Sequence, residues 1–227
     1  MLLAHLFPES SALAGGWRLG NEQDLPLELR QRGWRVLANR DHEPTRFLWR
    51  ENGVVQVDTD DSVGFLFREL SADERRAHSM SWRWQVARDL PPADLSRRDA
   101  DDRPLAVHLW FDLPETQTSW WTETGRSIFR WTGLPVPGRT ITYVWGGKHD
   151  SGASFPSPYR PRDGRVIVLR PSGSPVNTWQ DERIEPDADY VKYFGAPAVA
   201  PRFVVISGDS DNRGGTSSGL VTLPVFR

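Results

Sequence analysis

The sequence predicts an all-β protein, an antiparallel β-sandwich or jelly roll with one or two short helices. Three observations lead to this fold class. Roughly ten short runs of strand-forming residues follow one another, separated by turn residues. The chain holds 19 glycines and 18 prolines, so turns are frequent and long helices few. Strand patterns do not alternate with helical patterns, which argues against a parallel α/β sheet.

Residues 1–33 are predicted to be an N-terminal arm, and residues 34–227 a single β-sandwich domain. Within the arm, 25–33 is a predicted short helix, because Pro26 stands near its start and Gly33 lies past its end. Ten strands are predicted to follow: 34–38, 46–50, 54–58, 63–68, 79–86, 104–112, 140–145, 165–170, 202–207 and 219–226. The dipeptide Asn52-Gly53 predicts a hairpin turn between the second and third strands.

Two of these strands also predict their own burial. Residues 79–86 alternate between apolar and polar, which places Trp82 and Trp84 together on one buried face. Residues 104–112 are apolar at both parities, which is typical of a central strand covered on both faces.

Two further segments break the strand pattern. The tryptophan-rich segment 114–138 is interpreted as a helix or an excursion packed on the sandwich. Residues 186–195 are predicted to be a short helix with acids in its first turn and Gly195 closing it.

Composition excludes several classes of function. A net charge of −2 argues against a nucleic-acid or membrane-surface protein, because both need a basic surplus. The chain has no cysteine, which excludes disulfides, thiolate nucleophiles and cysteine zinc sites. No stretch is long and apolar enough for a transmembrane helix, and residues 1–8 lack the basic start of a secretory signal peptide.

Carboxylates at two strand ends are the main candidates for a functional site. Asp101 and Asp102 precede the apolar strand 104–112, whereas Asp209 and Asp211 follow the strand 202–207. Loops at the ends of a rigid β scaffold are the usual place for such a site.

These acids allow three interpretations. An ion pair of Asp101 or Asp102 with Arg103, Arg183 or Arg213 is the structural one. Carboxylates facing each other across a cleft would suit glycoside hydrolysis, with Asp102 opposite Asp209 or Asp211.

Calcium is the third interpretation, at Asp209, Asp211 and Asn212. A helix–loop–helix calcium site needs an oxygen donor at its fifth position and Glu at its twelfth, where this chain has Arg213 and Leu220. The sequence therefore favours an arginine, Arg183 or Arg213, between Asp209 and Asp211, and no metal cofactor is predicted.

The aromatic residues also bear on function. The chain has 11 tryptophans, and exposed rings of this kind stack on sugars. Trp145 lies in a regular strand, where the core is its usual place, and Trp179 lies in a less regular segment. No histidine pair has the spacing of metal ligands, and there is no Gly-x-Ser-x-Gly elbow.

Several spaced motifs resemble a known family. They are Trp-x-Trp in 81–86, Asp101-Asp102 before an apolar strand, Tyr-Val-Trp in 143–145, Trp179, Glu182-Arg183, Asp189-Tyr190, Phe194-Gly195 and the Asp-x-Asp-Asn group 209–212. From about residue 34 to the end, the chain resembles the bacterial domain of unknown function 3047. Arg213 stands where that family usually has Thr, and Gly219-Leu220 lacks the usual acid. Arg103 is the one arginine near the position of an arginine that the family carries inside the next strand.

The resemblance implies a jelly-roll-like sandwich, often exported to the periplasm or secreted, with no established activity. We expect a non-catalytic protein that binds carbohydrate or another envelope polymer. The alternatives are a polysaccharide hydrolase or lyase and a structural envelope protein. Eight residues form the predicted ligand-binding set: Asp101, Asp102, Trp145, Trp179, Arg183, Asp209, Asp211 and Asn212.

Overall fold

The computed structural model describes residues 16–112, 135 and 138–227, which form two sheets packed as a β-sandwich. The strands are β1 (Trp17–Leu19), β2 (Arg35–Asn39), β3 (Arg46–Arg50), β4 (Val54–Asp60), β5 (Val63–Glu69), β6 (Met80–Arg88), β7 (Arg103–Phe111), β8 (Arg139–Trp145), β9 (Ser154–Pro156), β10 (Gly164–Arg170), β11 (Gln180–Ile184), β12 (Pro201–Asp209), β13 (Thr216–Thr222) and β14 (Val225–Phe226). The α-helices are α1 (Leu27–Gln31) and α2 (Pro186–Phe194). The predicted fold class is thus confirmed.

The larger sheet has the strand order β1-β2-β5-β12-β7-β8-β10-β9, and the smaller sheet has the order β11-β6-β13-β4-β3, with β14 beside β6. Strand pairs are antiparallel except for β8 and β10, which run parallel. As its composition predicts, β7 is central, between β12 and β8, and all nine of its residues are buried. None of the helices in the described ranges is long and apolar enough to cross a membrane.

The space between the sheets holds the main core. Trp82 and Trp84 of β6 are 3% and 0% exposed, which confirms that their face of the strand points inward. The Trp84 ring meets Trp145 of the larger sheet edge-on, with 5.9 Å between the ring centroids. Alternate residues of β7, including Val107 and Leu109, join the same cluster. Burial of these large side chains supplies the main driving force for sandwich formation.

The outer face of the larger sheet is unusual because it too is largely buried. It carries apolar clusters around Trp110 and Phe203 on one side and around Val144 and Val168 on the other. Between them lie buried polar side chains on β7, β8 and β12. This second covered layer explains why β7 is apolar at both parities.

Local signals in the sequence account for the main turns and caps. Asn52 and Gly53 have φ of 58° and 76°, so the predicted hairpin turn is confirmed. Helix α2 begins at Pro186, and Gly195, which follows its last residue, has a φ of 58° and donates its N–H to the Val191 carbonyl. Helix α1 covers only Leu27–Gln31, which is shorter than the pattern predicts.

The structure differs from the sequence-based assignment at the N-terminal segment, at two short strands and at the final strand. Strand β1 pairs with β2, and Leu25 and Leu29 are buried in the core, so this part of the N-terminal segment packs into the sandwich. The short strands β9 and β11 were not predicted, because each has only three to five residues and little apolar alternation. The final strand divides in two before Pro224, which has no N–H for a ladder. Most of the excursion 114–138 lies outside the described residues.

Candidate functional site

The pairing of β7 with β12 brings the two acidic loops together. These strands are antiparallel neighbours, and Arg103 at the start of β7 is opposite Asp209 at the end of β12. The loop before β7 therefore meets the turn after β12 at the same edge. One cavity is lined by Asp101, Asp209 and Asp211, although Asp101 lies more than a hundred positions before the other two in the chain.

Arg103 lies between two of these acids. Its Nη1 donates to Asp101 Oδ2 at 3.0 Å and to the Asp101 carbonyl at 2.7 Å, and it lies 3.3 Å from Asp209 Oδ2. All three side chains are at most 10% exposed. The ion pair expected between Asp101 and Arg103 is confirmed.

The arginine expected beside Asp209 is a different one from those predicted. Arg183 is exposed on β11 of the smaller sheet, and Arg213 directs its guanidinium to the carbonyl of Pro92. Arg103 takes the place beside Asp209, because the strand register sets these two residues opposite each other. The prediction of Arg183 or Arg213 there is therefore wrong.

Asp102 supports the turn that carries Asp211 and Asn212. Its two oxygens accept the backbone N–H groups of Asn212 and Arg213, at 3.0 and 2.8 Å. The side-chain amide of Asn212 in turn donates through Nδ2 to Asp101 Oδ1 at 3.2 Å and to Asp211 Oδ1 at 2.7 Å. Both Asp102 oxygens are used in this way, so its role is to position the turn.

Burial raises the pKa of two of the acids, Asp101 and Asp209. Desolvation raises the pKa of Asp209 well above its usual value, and the neighbouring charge of Arg103 opposes this only in part. Desolvation also raises the pKa of Asp101, which accepts a hydrogen bond from the Tyr159 hydroxyl. Asp211 is more open, with a side chain 16% exposed. The site thus places carboxyl groups of unlike environment side by side.

The same acids have a spacing that suits a cation. Oxygens of Asp102, Asp209 and Asp211 lie within 4.8 Å of one another. However, both Asp102 oxygens accept backbone N–H groups, and Asp209 faces Arg103. Within this group of three acids, the guanidinium of Arg103 supplies a positive charge beside Asp209.

A cavity of about 430 Å³ opens beside these acids on the outer face of the larger sheet. Aromatic rings of Trp17, Phe65 and Trp110 line it, and the Trp17 and Phe65 centroids are 5.1 Å apart. Trp17 and Phe65 are only half-buried. The cavity thus combines ring faces with carboxylates, a combination that fixes both the packing and the orientation of a small ligand.

His108 and Thr142, two polar residues of the cavity wall, were not found by sequence reasoning. His108 bonds to Thr142 through Nδ1 at 2.9 Å and to Ser207 through Nε2 at 2.8 Å. The available signal was a lone histidine inside the apolar strand 104–112, which also fits a core histidine.

The predicted ligand-binding residues divide into two groups. Asp101, Asp209, Asp211 and Asn212 line the cavity, and Asp102 supports them. The remaining three lie elsewhere: Trp145 is fully buried between the sheets, Trp179 packs near Arg83 at 5.3 Å, and Arg183 is on the smaller sheet. The alternation of residues 140–145 explains the burial of Trp145, because it shares the inward face of β8 with Ile141 and Tyr143.

Comparison with known proteins gives a matching family and several similar solved structures. A family model described as "Protein of unknown function (DUF3047)" matches residues 32–222. No curated protein sequence matches the chain significantly. Among solved structures, the chain is similar to the xyloglucanase domain of NopAA, a type three effector from Sinorhizobium fredii, in complex with cellobiose. The TM-score is 0.47 at 10% identity, and the match covers 86% of this chain and 95% of that one.

Proposed function

We propose that this chain, which belongs to the DUF3047 family, is a carbohydrate-binding protein that holds its ligand in the cavity on the outer face of the larger sheet. The observation that carries the proposal is the combination of half-buried rings, Trp17 and Phe65, with hydrogen-bonding groups in one cavity. Its volume of about 430 Å³ lies within the usual range for ligand sites, roughly 300–1,000 Å³.

The chemistry of the walls suits a sugar. The C–H faces of a pyranose ring pack against aromatic faces such as that of Trp17. Its hydroxyl groups need polar partners around the edge, and Asp211 and Asn212 stand at the open side of the site, only partly buried or exposed.

The charges favour a neutral sugar over an acidic one. Three acids, Asp101, Asp209 and Asp211, line the cavity. Arg103 is already paired with two of them, whereas Arg160, which also lines the cavity, keeps its charge while it donates to the Gly138 carbonyl at 2.6 Å. A ligand carboxylate near Asp211 would meet a like charge, which is unfavourable at close range, and the nearest basic group to Asp211 among the described residues is His42, whose Nε2 lies 3.6 Å from Asp211 Oδ2.

The test is calorimetric titration with four tetrasaccharides: cellotetraose, mannotetraose, xylotetraose and the acidic tetragalacturonate. We expect at least one neutral tetrasaccharide to bind and tetragalacturonate to bind much more weakly. Trp17→Ala should weaken the binding at least tenfold, which corresponds to about 1.4 kcal/mol. Trp179→Ala is the matched control, because Trp179 is also half-buried but lies outside the cavity.

Two results would contradict this function. One is the absence of binding by all three neutral tetrasaccharides, and the other is equal weakening by the Trp17 and Trp179 substitutions. Preference for tetragalacturonate would refute the charge argument alone.

A second candidate, glycoside hydrolysis, is favoured by the raised pKa of Asp209 beside the more open Asp211. Glycosidases use one protonated and one ionised carboxyl group. Yet both carboxylates belong to the end of β12 and the turn after it, and their oxygens approach within 4.8 Å, whereas a glycosidase places its two acids on either side of the scissile bond. The release of reducing ends from the same tetrasaccharides, abolished by Asp209→Asn, would establish hydrolysis over simple binding.

A further inference from the structure

Three polar side chains form a continuous hydrogen-bonded row across the outer face of the larger sheet. Ser207 belongs to β12, His108 to β7 and Thr142 to β8, which are consecutive strands of the sheet. His108 Nε2 lies 2.8 Å from Ser207 Oγ, and Nδ1 lies 2.9 Å from Thr142 Oγ1. All three residues are buried, with His108 4% exposed, Ser207 0% and Thr142 8%.

Burial favours the neutral form of the imidazole in this row. Burial lowers the pKa of His108 well below its usual value, and the nearby positive charge of Arg103 lowers it further. A neutral imidazole has one N–H donor and one bare nitrogen acceptor. Consequently one of the two hydroxyl groups must donate to the ring, and the other must accept from it.

The burial of Ser207 decides between the two directions. Among the described residues, the Ser207 hydroxyl has His108 as its one hydrogen-bonding partner. If the ring donated to Ser207, the Ser207 hydrogen would be left buried without an acceptor, which is unfavourable. Ser207 therefore donates to Nε2, and the Nδ1–H of His108 donates to Thr142.

This direction leaves no buried hydrogen without an acceptor at Thr142. When Thr142 accepts from Nδ1, its own hydroxyl hydrogen is left over. Thr142 lines the cavity, so that hydrogen has access to a ligand or to water. The row then has a direction, from buried Ser207 towards the cavity.

We propose that Thr142 is a ligand-contacting specificity residue whose hydroxyl donates a hydrogen bond to an acceptor oxygen of the bound sugar. His108 and Ser207 are positioning residues that hold Thr142 in this orientation. The sugar as ligand rests on the proposed function, whereas the direction of the row does not. The site thereby requires an acceptor oxygen next to Thr142 and disfavours a ligand ammonium group there, which has only donors.

The first experiment measures the histidine tautomer without any ligand. Long-range ¹H–¹⁵N spectra of the full chain labelled at histidine distinguish the protonated from the bare ring nitrogen, and His108→Gln identifies the His108 signals. We expect a neutral ring with the proton on Nδ1. A proton on Nε2, or a doubly protonated ring at pH 7, would overturn the proposal.

The second experiment measures binding of the three neutral tetrasaccharides named above. Thr142→Val, which removes the hydroxyl but keeps the shape, should weaken binding at least tenfold, whereas Thr142→Ser should stay within about threefold of the wild type. Unchanged affinity in Thr142→Val would refute the contact. If no tetrasaccharide binds to the wild type, the carbohydrate function fails, and the tautomer still decides the direction of the row.

Discussion

Replacement of Arg103 by Met tests the electrostatic centre of the site. The guanidinium lies 3.0 Å from Asp101 and 3.3 Å from Asp209, and all three side chains are buried. Each attraction is worth ~5 kcal/mol at an effective dielectric constant of about 20, before desolvation is counted. Met keeps the volume of the side chain and removes its charge. The two carboxyl groups are then left without a counter-charge.

Proton uptake limits the damage in Arg103→Met. A carboxyl with a usual pKa of 3.8 stays protonated at pH 7 at a cost of about 1.36 kcal/mol per pH unit, or ~4 kcal/mol for each acid. We expect a loss of about 3–5 kcal/mol in the free energy of unfolding at pH 7.

The loss should depend on pH in a defined direction. Burial raises the folded-state pKa of both Asp101 and Asp209 above 3.8, so the folded protein binds protons more readily than the unfolded chain. The instability caused by these acids is therefore complete above their folded pKa values and relieved as the pH falls towards 3.8. Lowering the pH from 7 to 5 should recover about 1–3 kcal/mol in the variant.

Urea unfolding followed by tryptophan fluorescence at pH 7 and pH 5 measures both effects. Arg103→Met combined with Asp209→Asn should recover part of the loss at pH 7, because one fewer charge is then buried. Arg97→Met is the control, since Arg97 forms a similar contact with Asp99 at 2.6 Å but is exposed, and its midpoint should not change. An unchanged midpoint in Arg103→Met, or an equal loss at both pH values, would refute this account of the site.

Three further predictions concern packing and metal binding. Val107→Asp places a carboxylate in a fully buried position of the central strand and should cost several kcal/mol, against a total free energy of unfolding of about 5–15 kcal/mol. We therefore expect the variant to unfold, and a soluble variant that melts cooperatively would contradict the central position of β7. Gly147→Ala adds a Cβ 2.6 Å from Leu95 at a φ of +81°, and should cost about 1–3 kcal/mol in thermal unfolding. Calcium and EDTA should leave the melting temperature unchanged, because the guanidinium of Arg103 already lies 3.3 Å from Asp209. A calcium-dependent rise of about 2.7 kcal/mol in stability that Asp209→Asn removes would establish a metal site.

Much of the fold could be predicted because its signals are local. Alternation in 79–86 predicted the buried face of Trp82 and Trp84, and Asn52-Gly53 predicted the turn that follows β3. Each of these signals depends on residues close together in the sequence, whose relative directions the local backbone geometry sets. Short strands such as Ser154–Pro156 carry too few residues for such a signal, and they form because a neighbouring strand offers its free edge.

Only part of the acidic site could be predicted from the sequence. The clusters at Asp101 and Asp209 mark strand ends, and Asp101 with Arg103 is a local pair. That Arg103 also faces Asp209 depends on the register between β7 and β12, which joins residues about a hundred positions apart. Arg183 and Arg213 were equally plausible by composition, since all three are arginines near acidic motifs.

The sequence by itself determined the class of fold, the inward parity of the main strands and the presence of acids at two strand ends. Only the tertiary structure decided which residues share the cavity. His108 occupies an outward position of an apolar strand, and its partners are 34 and 99 positions away in the chain. The physical reason is that period two specifies which face a side chain takes, whereas strand order and register specify its neighbours on that face.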